Sequence, residues 1–289
     1  MRAKKFRMKK GGAVSAIMLL LLLAIAMIDG CVQKQKFEPK AEKLNIYCLD
    51  VGQGDSTYIL FPDGKSMLID AAEEDSNVYR LLEEYEPEYI DYFVITHPHS
   101  DHAGGAKDVI ENYEIGQIFM PDAANTASFF EELLTVIESE EIPVTQAKTG
   151  TLIYESDDFK AEIISPREEG YNDLNNMSAV VKITYGNNKF LFMGDAEKAV
   201  EEDITSDVSA DFIRVGHHGS NTSSSKGFLN RVKPKYAVIS VGEFNNYNHP
   251  DGEIVKRYKK MGTEIYRTDE MGTISVVSDG VDIEIKTQR

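Results

Sequence analysis

The sequence predicts an α/β fold in which two similar β-rich halves pack together with helices outside. Three observations predict it. Apolar residues make up 42% and charged residues 27% of the 289-residue chain, an ordinary balance for a globular protein. Strand-like apolar runs bounded by turn residues open each half. Each half then passes into alternating helix and strand patterns, which bury best as sheets covered by helices.

In the first half, strand runs fall at 44–50, 56–61 and 66–70, with Pro62-Asp63-Gly64 as a hairpin turn. A helix pattern at 76–85 leads to the apolar strand Tyr92–Thr96. Helices at 104–112 and 127–139 alternate with strands near 116–120 and 143–145. The second half opens with strands near 151–154, 159–164, 179–185 and 189–193. A helix near 196–205, a strand at 211–215, a helix near 224–231 and a strand at 236–241 follow. A helix near 252–261 and strands at 263–267, 273–277 and 281–286 finish the chain. Residues 43–289 therefore form one domain of ordinary size.

The N-terminus reads as an address. Arg2, Lys4, Lys5, Arg7, Lys9 and Lys10 precede an uncharged run from Ala13 to Ile28, the pattern of a secretory signal over residues 1–30. Ile28-Asp29-Gly30-Cys31 is similar to a bacterial lipobox, which makes Cys31 the lipidation candidate, although Asp29 is unusual there. The alternative is an uncleaved signal anchor. Residues 31–42 read as a polar tether. Either way the domain is expected outside the cytoplasm, held to a membrane. The second cysteine, Cys48, sits in a strand run and reads as a small buried residue. Two cysteines cannot build a disulfide framework or a cysteine-rich zinc site.

The net charge of −17 argues against a general nucleic-acid coat, which neutralises phosphates with Lys and Arg. The six histidines are more informative. His97, His99 and His102 lie in Thr96-His97-Pro98-His99-Ser100-Asp101-His102, directly after a strand. Two apart in extended chain, His97 and His99 point the same way and converge on one metal ion. Asp101 and His102 follow a turn and can serve a second ion; imidazole with carboxylate suits zinc, manganese or iron. Gly194-Asp195 ends another apolar strand, and Asp195 suits a bridging carboxylate. In Gly216-His217-His218-Gly219, strand alternation favours His217 as ligand with His218 behind it. His249, before Pro250, reads equally as a proton donor or substrate contact and as a cap for the following helix.

The His-x-His-x-Asp-His run is the signature of the metallo-β-lactamase superfamily. Asp50-Val51-Gly52-Gln53-Gly54-Asp55-Ser56, Asp70, residues 97–105, Met193-Gly194-Asp195, residues 216–220 and His249-Pro250 follow in an order that resembles the metallo-hydrolase domain of ComEC-type DNA-internalisation (competence) proteins, in a free-standing, secreted form. The resemblance implies an αββα four-layer sandwich. It implies His97 and His99 on one ion, Asp101, His102 and His217 on the other, Asp195 between them, and Asp70 bracing the ligand loop. The third histidine that the broad superfamily brings to the first ion is missing from Leu174-Asn175-Asn176-Met177-Ser178. Asn175, Asn176 and Ser178 are left to support the site or face the substrate.

Two Zn2+ or Mn2+ ions would activate water and favour phosphodiesters, with Asp101 orienting the nucleophile and His249 or His218 protonating the leaving group. Phe212 to Gly242 contains no acid but holds Arg214, Lys226, Arg231, Lys233 and Lys235. Residues 219–225, with Ser220 and Asn221, read as a phosphate cradle before a helix. The expectation is an extracytoplasmic metal-dependent phosphodiesterase or nuclease related to DNA uptake, acting on single-stranded DNA, with no obligate protein partner. The alternatives are a hydrolase of a wall-polymer or phospholipid-headgroup phosphoester, and a non-catalytic nucleic-acid-binding lipoprotein.

Overall fold

The computed structural model describes residues 36–167 and 171–289. The expected signal segment, Cys31 and the start of the tether lie outside the described residues. The first sheet begins with β1 (Leu44–Cys48), β2 (Thr57–Leu60), β3 (Ser66–Ile69), β4 (Ile90–Val94), β5 (Ile115–Met120) and β6 (Val144–Gln146). The second holds β7 (Thr151–Glu155), β8 (Phe159–Ser165), β9 (Val180–Tyr185), β10 (Asn188–Phe192), β11 (Phe212–Arg214), β12 (Tyr236–Ile239) and β13 (Glu264–Arg267). The last strands, β14 (Ile274–Ser278) and β15 (Ile283–Thr287), return to the first sheet, where β14 pairs antiparallel with β1. The halves are thus less separate than the sequence order implies.

Strand alternation builds the four layers. Along β1, Leu44, Ile46 and Cys48 face a core shared with Phe159, Ile183, Phe190 and Phe212 of the second sheet. Tyr47 faces the other way, toward Leu82, Val109 and Leu133 of the outer helices. Ile213 likewise leaves the central core and packs on Phe228, Leu229 and Tyr258. The expected hairpin forms: Phe61 N–H donates to Lys65 O at 2.8 Å, with Gly64 at φ +90°. Packing starts before Lys43, because Phe37 is buried and its ring stacks on Tyr47 at 6.5 Å. Among the described residues, no helix is long and apolar enough to cross a membrane.

β3, β4 and β5 run parallel to one another, as do β10, β11, β12 and β13. Chain leaving the C-terminal ends of such strands gathers at one edge, the usual place for ligands in parallel sheets. The loops after β4, β10, β11 and β12 therefore meet there.

Below that edge a buried ion pair ties the sheets together. Arg214, from β11, is 1% exposed and donates to Asp55 Oδ1 from the loop before β2. Asp55 N–H donates to the carbonyl of Asp101 at 2.9 Å, so the pair sits directly under the histidine loop. Replacing one member leaves an uncompensated buried charge. Arg214→Met should lower unfolding free energy in urea by about 3–5 kcal/mol; a change below about 1 kcal/mol would show that the pair is dispensable.

Candidate metal centre

The chain forms the site by ending strands early and turning. β4 stops at Val94, and Thr96 to His102 is held against Asp70, which follows β3. Thr96 N–H donates to Asp70 Oδ1 and its hydroxyl to Oδ2, both at 2.7 Å; His102 Nδ1 lies 2.7 Å from the same Oδ2. A carboxylate only accepts, so His102 carries its hydrogen on Nδ1 and turns Nε2 into the site. Gly54 lets the chain pass under this loop, since a Cβ there would lie 2.6 Å from the Asp101 carbonyl.

The other imidazoles follow the same rule. His218 Nδ1 donates to Ser240 O at 3.1 Å. His217 Nδ1 lies 3.1 Å from Thr222 Oγ1 and 3.3 Å from Glu197 Oε1. His97 Nδ1 lies 3.2 Å from Thr96 Oγ1 and 3.4 Å from Ser178 Oγ. Each of these four rings is anchored through Nδ1 and presents Nε2. His99 instead turns Nδ1 inward, 3.0 Å from His97 Nε2.

Asp195 divides them into two sets. Its Oδ1 lies 3.1 Å from His102 Nε2 and 3.6 Å from His218 Nε2, which is itself 3.3 Å from Asp101 Oδ2. Its Oδ2 lies 3.6 Å from His217 Nε2 and 3.9 Å from His97 Nε2. Gly194 makes this possible: its φ is +51°, and a Cβ would meet Thr96 Oγ1 at 3.0 Å and Ser178 Oγ at 3.1 Å. Ser178 Oγ also accepts from Asp195 N–H at 3.0 Å.

Burial works against every charge in this cluster. The carboxylates of Asp195, Asp70 and Asp101 overcome it at His102, which is pushed well above the usual histidine range. At Asp195 and Asp101, burial is outweighed by His102 and His218, and both stay well below the usual carboxylate range. Burial, with His102 beside it, holds His97 far below its usual value and neutral.

The donor set fits divalent metal. Ligand atoms of Asp101, His102, Asp195 and His218 lie within 4.8 Å of one another. His102 Nε2, His218 Nε2 and Asp195 Oδ1 are buried without a hydrogen-bond partner, at about 1–3 kcal/mol each if left so. Imidazole nitrogen and carboxylate oxygen together satisfy zinc, manganese or iron. On the Oδ2 side, His97, His99 and His217 supply a second set of three imidazoles.

The alternation argument for His217 fails locally. The strand ends at Arg214, and His217 and His218 both adopt left-handed backbone, φ +50°. That turn splays the pair, sending His218 into the Asp101–His102–Asp195 cluster and His217 to the far oxygen of Asp195. His249 also departs from one of its two readings: the following helix is capped by Asp251, which accepts from Glu253 N–H. The His249 ring lies 5.7 Å from His217 and lines the cavity; burial and the neighbouring histidines lower its pKa.

Asn175 faces the cavity, about 400 Å³ in volume, whereas Asn176 is spent on Glu197 at 3.3 Å through both its amide atoms. The cradle expected at 219–225 does not open onto this cavity. Ser220 is buried against Thr222, Asn221 reaches Asp251, and the N–H groups of Ser224 and Ser225 donate to Glu201. None of the five bases between Phe212 and Gly242 lines the cavity; Arg214 is buried on Asp55 and Lys235 pairs with Asp211 at 3.0 Å. Sequence reasoning missed Glu197, Thr222 and Ser240, the groups that orient His217 and His218. Nothing in their spacing marks them, because the turns that bring them near are not periodic.

A sequence model of the metallo-beta-lactamase superfamily matches residues 49–243. ComE operon protein 3 of Bacillus subtilis is 26% identical over 248 residues, covering 78% of this chain and 32% of the relative. Competence protein ComA of Neisseria gonorrhoeae is 29% identical over 279 residues, covering 91% and 37%. The chain thus spans about a third of the length of the curated relatives it matches. These relatives are ComEC-type competence proteins, the resemblance its motifs carry. Among solved structures, CmlA, a diiron β-hydroxylase from Streptomyces venezuelae, superposes with a TM-score of 0.52 at 14% identity, over 79% of this chain and 53% of that one. Igni18, a metallo hydrolase from Ignicoccus hospitalis, gives 0.50 at 12%, over 80% and 98%. At such identities the likeness shows the fold alone.

Asp70 is the anchor of the histidine loop. Asp70→Asn should keep the fold, by circular dichroism, yet weaken zinc binding about 10- to 100-fold in calorimetric titration; unchanged affinity would remove Asp70 from the account.

Proposed function

The chain belongs to the metallo-β-lactamase superfamily of metal-dependent hydrolases, and on that premise we propose that it is an extracytoplasmic phosphodiesterase acting on single-stranded DNA. The observation that carries this reading is the division of donors about Asp195. Asp101, His102 and His218 would hold one ion with Oδ1, and His97, His99 and His217 another with Oδ2. His217 then takes the place of the histidine missing from residues 174–178. Divalent ions held there would supply the Lewis acidity that activates water near neutral pH and suits phosphodiester displacement.

The chain's own groups do the rest. Asp101 lines the cavity and accepts a hydrogen bond from the attacking water, fixing its direction. His249 lines the same cavity as a substrate contact, because burial and the neighbouring histidines favour its neutral ring. Asn175 lines the same cavity and presents its amide to the substrate. The location outside the cytoplasm rests on the basic and apolar N-terminal sequence with Cys31.

A second reading is a hydrolase of a smaller phosphoester, from a wall polymer or lipid headgroup. It is favoured by a cavity that, among the described residues, no Lys or Arg lines, in a chain of net charge −17. Metal-stripped protein reloaded with zinc or manganese should cleave end-labelled single-stranded DNA. Asp195→Asn, folded by circular dichroism, should lose at least about a hundredfold of that rate. Cleavage of small diesters without cleavage of DNA would transfer the assignment to the second reading; equal rates in the variant would overturn both.

A further inference from the structure

The loop between β12 and the helix Gly252–Lys260 carries two aromatic side chains that the core does not use. Phe244 is 90% exposed and Tyr247 is 65% exposed. Of the two, Tyr247 lines the metal-centre cavity, and a large exposed aromatic there marks a binding surface. Their loop is tied down from within. Asn245 donates through Nδ2 to Gly242 O at 2.9 Å and His249 O at 2.8 Å, and its Oδ1 accepts from Tyr247 N–H at 3.2 Å and His249 N–H at 2.9 Å. One amide therefore sets the direction of the loop before any ligand arrives.

Tyr247 also heads a row of near-parallel rings. It stacks on His249 with centroids 5.7 Å apart and planes at 22°; His249 in turn lies 6.5 Å from His218 at 25°. The row runs from solvent to the buried cluster, and Tyr247 is its open end. Tyr247 and Phe129 line the cavity together with the amides of Gln53, Asn125 and Asn175. Flat rings with amide donors and acceptors match the faces and edges of a nucleobase; they match neither an acyl chain nor a polyol phosphate.

We infer that Tyr247 is a stacking platform for an unpaired nucleobase flanking the scissile phosphate. The inference rests on the phosphodiesterase reading and deepens it: affinity comes from bases and not from Lys or Arg, which reconciles a nucleic-acid substrate with an acidic protein. It also selects single strands, because bases in a duplex are already stacked.

The test compares oligothymidylate with an abasic oligomer of the same length and backbone, using zinc- or manganese-loaded protein. The wild type should favour oligothymidylate in kcat/KM. Tyr247→Ala should reduce that preference about tenfold, mainly through KM, and Tyr247→Phe should restore it. Equal efficiency on the two oligomers, or a preference that survives Tyr247→Ala, would overturn the platform and leave the phosphodiesterase reading standing. Cleavage of neither oligomer with either ion would overturn both.

Discussion

The buried carboxylate of Asp70 holds the site together. It accepts from the backbone and the hydroxyl of Thr96 and takes the Nδ1 hydrogen of His102. One residue thus joins the end of β3 to the loop after β4, closes the strand at a fixed point and sets the tautomer of a candidate ligand. Thr96 passes the order onward: its carbonyl accepts from Ala179 N–H of the second sheet at 2.8 Å, and its hydroxyl stands against His97. Burial raises the Asp70 carboxyl pKa, and His102 opposes that rise.

The cost of such a centre is electrostatic. Asp195, His97, His102 and His218 are almost wholly buried, close enough to compete for protons, and three of their polar atoms lack partners. Core packing alone would replace these groups with apolar ones. The fold offsets them by closing three hydrophobic layers around the sheets and by placing the Arg214–Asp55 pair beneath the loop. The same turn that makes His217 and His218 unlike neighbours, with left-handed backbone at each, gives both oxygens of Asp195 an imidazole.

Most of this architecture was legible because strands and helices leave periodic traces. The apolar runs, the Pro62-Asp63-Gly64 hairpin and the amphipathic segment over Ser128–Ser139 all appear where their patterns fall. The histidine loop was legible because its candidate ligands are adjacent in sequence. What was hidden depends on distance along the chain or on irregular backbone. The pairing of β14 with β1 joins residues more than two hundred apart, and no local pattern announces it. Arg214 read as one of five bases in an acid-free segment because its partner, Asp55, is far away in sequence. The splay of His217 and His218 was invisible to an argument from strand alternation, since the strand had already ended.

The central claim is that each histidine of that pair serves a different side of Asp195. Metal content of the purified protein and of His217→Ala and His218→Ala, measured by inductively coupled plasma mass spectrometry after reloading and desalting, tests it most directly. The account predicts two ions in the unsubstituted protein and the loss of one in each variant. Full occupancy in His217→Ala would contradict it and return His217 to the role of a bystander on Thr222 and Glu197.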